Sequence, residues 1–242
     1  MKTLILAAGL GSRLQHKTQH SPKALVRIHD KPILAYQLDA LSACGMKDIG
    51  IVLGYQGEMI KEYIEQNYSF LHTTFFWNHD YASSNSSYSF WMAKDWIADE
   101  SYIHLNCDIL FSPTLLQKLL KHRHENVIAI KRDVSLGGRL EHVVVKGEQI
   151  QKMSIEYDPQ ATGKAFGLAK LGTLSHVILQ KLIATYLAQG DKNQNYFGMI
   201  RHAIHQKIPY YVLDATHEEL FEVNTLEDYK KVEEYVAHKK LC

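Results

Sequence analysis

Between Leu4 and Leu25 the chain reads LILAAGLGSRLQHKTQHSPKAL. Gly9 and Gly11 carry no side chain that would keep an incoming group away from backbone N–H donors. Arg13 can set a guanidinium fork on phosphate oxygens. Lys23 adds a point charge directly after Pro22, whose ring restricts the backbone. These residue types at this spacing describe a receptacle for a group with several negative charges. Two other phosphate loops do not fit. GxxxxGK[ST] matches nothing in the chain, and GxGxxG fails at its third position, which is Leu14. The plain alternative is a glycine turn followed by solvated basic residues. Two glycines, an arginine and a proline-anchored lysine after a first strand make a far more specific set.

The elements that must hold this loop alternate. Apolar runs read as strands at Thr3 to Ala7, Asp48 to Leu53, His72 to Trp77, Tyr102 to Asn106 and Val127 to Lys131. Between them, helical spacing runs over Ile33 to Cys44, Gly57 to Tyr68 and Ser87 to Ile97, and from Pro113 to about Arg123 with Ser112 as N-cap. This alternation predicts a doubly wound, mostly parallel α/β sheet, whose ligands sit beyond the carboxyl ends of the strands. The Gly9–Gly11 loop, the Gly54-Tyr55 turn and the segment after Asn106 share that edge. Asp108 follows the strand YIHLN, where a carboxylate can hold magnesium; its plain alternative is a turn or capping residue. From 134 to 172 a hairpin around Gly147 and a further strand read as a small β-rich insertion over the acceptor side. Helices follow at Ser175 to Leu187 and Tyr196 to His205, strands at Ile208 to Leu213 and Leu220 to Val223, and a last helix at Leu226 to Lys239 capped by Thr225. No repeat or linker divides the chain, so one domain is expected over residues 1–242.

Composition narrows the partners. The net charge is +1, so no global field recruits nucleic acid or an acidic membrane. No stretch approaches the roughly 20 apolar residues of a membrane span, and the apolar start runs straight into a polar loop, so a cytoplasmic protein is expected. Three cysteines far apart suggest neither a disulfide framework nor zinc, and the 14 histidines lack ligand spacing.

Gly9-Leu10-Gly11-Ser12-Arg13-Leu14 with Ser21-Pro22-Lys23-Ala24-Leu25 resembles the signature of the MobA-like and sugar-phosphate nucleotidyltransferase superfamily. Asn78 to Asn85 (NHDYASSN), Asn106 to Phe111 (NCDILF) and Phe221 to Tyr229 (FEVNTLEDY) are most similar to the bacterial CTP:phosphocholine cytidylyltransferase type and its phosphonate and phosphoamide relatives. The resemblance implies a Rossmann-like fold. It also implies that the phosphate or phosphonate of a small acceptor attacks the α-phosphorus of CTP, with magnesium as cofactor and pyrophosphate leaving. Arg13, Lys23 and Asp108 would carry the catalysis. Leu6, Ala8, Gly9, Gly11 and Ser12 would line the nucleotide with Arg13 and Lys23, while Gly54, Tyr55, Asn85 and Ser86 would lie near the base. Asn85 reads equally as a helix cap. Asp108 and Glu222 would hold the metal, with Asn224 where many relatives have Asp, so a second metal site is open. Lys131 and Arg132, at a strand end on the ligand edge, are the first candidates for the acceptor's anion, with Arg139 and Lys152 behind them. Tyr196, with Tyr157, Phe166 and Phe197, could supply rings for a choline head group, or could simply pack the core. Gly198 stands where some relatives are acidic, which suits a less cationic acceptor. Two other readings stay open: a sugar-1-phosphate nucleotidyltransferase using UTP, GTP or dTTP, and a nucleotide-sensing module without turnover.

Overall fold

The computed structural model describes residues 1–98 and 100–239. Strand β1 (Lys2–Ala7) leads through the glycine loop into two 3-10 turns, Ser12–Thr18 and Lys23–Leu25. The two-residue strands β2 (Arg27–Ile28) and β3 (Lys31–Pro32) precede α1 (Ile33–Ala43). Then come β4 (Asp48–Leu53), α2 (Gly57–Asn67), β5 (His72–Trp77), α3 (Ser86–Ile97), β6 (Tyr102–Asn106), β7 (Ile109–Phe111), α4 (Pro113–Leu120) and β8 (Val127–Lys131). The second half holds β9 (His142–Lys146), β10 (Gln149–Ser154), β11 (Gly163–Leu171), α5 (Thr173–Ala188), α6 (Tyr196–His205), β12 (Tyr211–Asp214), β13 (Leu220–Glu222) and α7 (Leu226–Lys239).

Among the described residues nine strands form one sheet in the order β5-β4-β1-β6-β11-β8-β12-β10-β9. β5, β4, β1 and β6 pair in parallel, as the alternation predicts. β11 then enters antiparallel between β6 and β8, and β9 and β10 add antiparallel pairings at the far edge. The sheet is therefore mixed. The stretch 134–172 is not a separate cover: its last strand is central. Ala165, Phe166, Leu168, Ala169 and Leu171 are all buried, so β11 carries apolar residues on both faces, as a strand covered on both sides must. A register shift between Ala165 and Ala169 bends β11, and its first residues also pair with β9. The loops flanking the β9–β10 hairpin and the first half of β11, Lys164 to Gly167, reach the ligand edge. The late strand begins at Tyr211 rather than Ile208, because the Ile208 N–H still closes the end of α6 on the Ala203 carbonyl at 3.1 Å.

Sequence periodicity missed β7; paired with β13, where a short strand over Leu220 to Val223 is expected, it forms a two-stranded antiparallel ribbon with Glu222 opposite Ile109. A separate apolar cluster supports this ribbon: Leu14, Ile28, Ile33, Leu110 and Val223 pack with Tyr229, Val232 and Val236 of α7. Leu14 thus has a physical reason to replace the third glycine of a dinucleotide loop: it anchors the loop into this cluster. α7 starts on a reciprocal cap, in which the Asp228 carboxylate accepts from the Thr225 N–H at 2.8 Å and the Thr225 hydroxyl accepts from the Asp228 N–H at 3.2 Å. Leu14→Ala should lower stability by about 2–5 kcal/mol, the range for emptying a buried leucine site; a shift of the urea midpoint measures it.

Candidate active site

Two strand exits shape the loop before any charge does. The Tyr55 N–H donates to the Ala8 carbonyl at 3.0 Å, where β4 leaves the sheet beside β1. A Cβ on Gly54 would lie 2.5 Å from that carbonyl oxygen, so only glycine permits the approach. Gly11 adopts φ +66°, and its carbonyl accepts from the Thr18 hydroxyl at 3.1 Å. A Cβ there would stand 3.0 Å from the Cβ of Lys23, so the left-handed turn and the lysine are packed as one unit. Around Gly9 an added Cβ would meet nothing within 4 Å, which leaves the backbone open to a ligand.

The cations converge across the chain. Lys23 Nζ lies 2.6 Å from Asp108 Oδ2 and donates to Asn224 Oδ1 at 2.9 Å, while Arg13 Nη2 donates to the same amide oxygen at 2.5 Å. Lys164 Nζ lies 2.5 Å from Glu222 Oε2. The β7–β13 ribbon brings the two carboxylates together, since Glu222 faces Ile109 and the Val223 N–H donates to the Asp108 carbonyl at 2.9 Å. Gln37, fully buried on α1, donates to the Asn106 and Ile109 carbonyls at 2.8 and 2.7 Å and clamps the turn that carries Asp108. Asp108 Oδ1 is buried without a hydrogen-bond partner. An orphaned carboxylate oxygen beside a second carboxylate and an amide oxygen is a donor set suited to a hard divalent cation. Magnesium commonly takes one or two carboxylates and completes its shell with water and substrate phosphate. The absence of any three-carboxylate or histidine cluster among the described residues is compatible with that.

These groups open onto a cavity of about 940 Å³, enough for a nucleotide and a small second molecule. Leu6, Ala8, Gly9, Gly11 and Ser12 line it, together with Arg13 and Lys23. So do Asn85 and Ser86, and Asp108, Glu222 and Asn224. Asn85 is also the cap of α3, accepting from the Ser86 N–H at 2.8 Å. Asn78, whose amide donates to Ser84 and Ser89 at 3.0 Å each, adds a polar patch that the sequence reading did not single out. Gly54 and Tyr55 act from behind the wall: the Tyr55 hydroxyl donates to the Gln19 carbonyl at 3.0 Å and does not line the cavity.

Three expected contacts require correction. Lys131 is not in the cavity; its ammonium lies over the Phe221 ring, 5.3 Å from the centroid. Arg132 faces a separate hollow and pairs through Nε with Asp214 at 2.7 Å. Tyr196 is 1% exposed; its hydroxyl meets that of Tyr102 at 2.5 Å, and its ring stacks on His104 at 4.4 Å. The charges that do line the cavity there are Lys164, directly across the ladder from Lys131, and the pair Arg201–Glu141, with Arg139. Lys164 and Arg201 sit on elements whose pattern reads as core, so nothing local marks them. Tyr157 is 64% exposed and stands outside the cavity, which Phe166 and Phe197 line.

Residues 3–170 match the MobA-like NTP transferase domain family. The chain belongs to that family. It is a nucleotidyltransferase, similar over 98% of its length and 99% of the relative's to a choline-phosphate cytidylyltransferase of Streptococcus pneumoniae, at 28% identity. A CTP:phosphoglutamine cytidylyltransferase of Campylobacter jejuni is 33% identical over 54% of this chain and 53% of that protein. Among solved structures, the CTP:phosphocholine cytidylyltransferase of Streptococcus pneumoniae superposes with TM-score 0.77 at 23% identity, covering 97% and 98% of the two chains. An inositol-1-phosphate CTP transferase of T. maritima superposes with TM-score 0.81 at 17% identity, covering 100% and 97%. These two likenesses establish the fold of the nucleotidyltransferase. Among the described residues no helix is long and apolar enough to cross a membrane.

His104 lies under the site, its Nε2 3.1 Å from the Asn106 side-chain oxygen. Burial lowers it to about 4, so the folded protein holds it neutral near pH 7. The unfolded chain takes up that proton near pH 6.5. Between those values the unfolded state binds more protons, so stability falls as pH drops through the window, by up to about 3 kcal/mol. Urea denaturation from about pH 7 to 4 should show this loss, and His104→Gln should flatten it by close to one proton.

Proposed function

We propose that this nucleotidyltransferase is a magnesium-dependent cytidylyltransferase that joins CMP from CTP to a small phosphorylated or phosphonylated acceptor. The observation that supports it most is the meeting of Arg13 and Lys23 with Asp108, Glu222 and Asn224 at one cavity edge. The full-length relative named as a choline-phosphate cytidylyltransferase favours CTP among the nucleotides. Arg13 and Lys23 hold the triphosphate against the open backbone at Gly9, and the base rests toward Asn85 and Ser86. With no nucleotide present, Lys23 and Lys164 neutralise the two carboxylates. When the triphosphate enters, Lys23 exchanges its carboxylate for phosphate oxygen, and Lys164 turns to the acceptor's anion. Asp108 and Glu222, with the Asn224 amide oxygen, are the residues that would hold magnesium, which supplies charge neutralisation to the reacting phosphates. An acceptor oxygen then forms a bond to the α-phosphorus, the bond from that phosphorus to the bridging oxygen breaks, and pyrophosphate departs with the electron pair. Alignment and charge, rather than a covalent intermediate, lower the barrier.

Pyrophosphate release with Mg²⁺, each common triphosphate and a panel of phosphate, phosphonate and sugar-1-phosphate acceptors should give its strongest signal with CTP. Signal confined to another nucleotide and a sugar phosphate would move the enzyme to that class; silence despite nucleotide binding would make it a sensing module. Asp108→Ala should cut turnover by more than about 100-fold while the chain still folds, with a lowered melting temperature because Lys23 loses its partner, and Lys23→Ala should lower kcat/KM for the nucleotide.

A further inference from the structure

At the end of the cavity away from the glycine loop, Arg201 Nη1 donates to both oxygens of Glu141, at 2.6 and 2.5 Å. The two side chains are only 18% and 22% exposed. Glu141 is tied to the central sheet, since its carbonyl accepts from the Ala165 N–H at 2.8 Å, beside Lys164. One nitrogen of the guanidinium satisfies the whole carboxylate. Nη2 and Nε are left without a protein partner among the described residues. Gly198, one turn before Arg201 on α6, keeps the space beside Nη2 clear: an added Cβ would stand 3.2 Å from it.

A quaternary ammonium needs open ring faces and a free carboxylate. Neither is here. Of the two rings on this side, Phe166 already has the Lys164 ammonium 4.5 Å from its centroid. Phe197 packs beside the buried His104 at 5.8 Å. Glu141 is taken by Arg201 and Glu222 by Lys164. A second cation would meet the fixed charge of Arg201 instead.

We propose that Arg201, fixed by Glu141, determines acceptor specificity, and that the acceptor's distal group is uncharged with a hydrogen-bond donor beside an acceptor, as in a primary amide or a pair of hydroxyls. Its oxygen accepts from Nη2 or Nε of Arg201, and its N–H or O–H donates to a remaining lone pair of Glu141. The same guanidinium repels trimethylammonium and ammonium head groups. This rests on the reading that the cavity holds an acceptor phosphate or phosphonate beside the nucleotide.

The test is calorimetric binding, independent of turnover, with Mg²⁺ and a non-hydrolysable CTP analogue present. The probes are 3-phosphonopropionamide, glycerol 3-phosphate, phosphocholine and 2-aminoethylphosphonate. The amide or the diol should bind at least about tenfold more tightly than either cation, because trimethylammonium makes no hydrogen bond and the primary ammonium, a donor only, offers Arg201 no acceptor. In Arg201→Gln that preference should vanish. The double variant Arg201→Gln with Glu141→Gln, which keeps a hydrogen-bonded pair without charge, should lose it too while retaining the melting temperature. Tighter binding of phosphocholine or 2-aminoethylphosphonate, or a preference unchanged in both variants, would overturn the assignment. Binding of none of the four probes would also overturn it. Pyrophosphate release from CTP with some other acceptor would in that case leave the cytidylyltransferase reading standing, so the two failures are told apart.

Discussion

Lys23 and Asp108 hold opposite charges 2.6 Å apart with their side chains only 10% and 13% exposed. Taking two ions out of water costs several kcal/mol each unless their remaining hydrogen-bonding capacity is met. Much of the architecture answers that demand. Asn224 offers its amide oxygen to Lys23 and Arg13 together. Gln37 fixes the turn of Asp108 from below, and the ribbon of β7 and β13 fixes it from the side. One oxygen of Asp108 is still unmet. That residual demand is the physical basis for a ligand: a cation and an anion arriving together would satisfy the carboxylate and the ammonium better than these satisfy each other.

The two ends of the cavity are built by different means. The glycine-loop end relies on backbone and small polar side chains at strand exits, where Gly9 leaves room and Asn78 and Asn85 are held by serines or by a helix cap. The far end relies on charged pairs carried by β11, α6 and the loop before β9. Backbone donors suit a phosphate chain common to every nucleoside triphosphate. Paired side chains can be exchanged without disturbing the sheet, and so suit the variable partner.

What was legible in the sequence follows the same division. Gly9, Gly11, Arg13, Pro22-Lys23 and Asp108 announce themselves because each is chemically odd within its own few residues. Their meeting with Glu222 and Asn224 needed the family resemblance, since the ribbon that unites them pairs three-residue strands more than a hundred positions apart. Lys131 and Arg132 were chosen from the right rung of the wrong strand: Lys164 sits directly opposite Lys131, but only β11, bent between Ala165 and Ala169, turns that rung into the cavity. Tyr196 and Phe197 differ by one step of a helix. Only the packing of Tyr102 and His104 decides that the first is core and the second is wall. The apolar run of β11 looked like an appended hairpin strand because a central antiparallel strand in a βα series leaves no local sign of its place.

The cluster that joins Leu14 to Val232 and Val236 also has a consequence in time. Synthesis delivers the glycine loop first and the β13–α7 segment more than two hundred residues later. Until that segment leaves the ribosome, Arg13 and Lys23 stand without Asn224, and Asp108 without its neighbouring carboxylate. A growing chain can complete the β5-β4-β1-β6 half of its sheet early, yet the groups that meet at the cavity edge come together only after β13 and the start of α7 have been made.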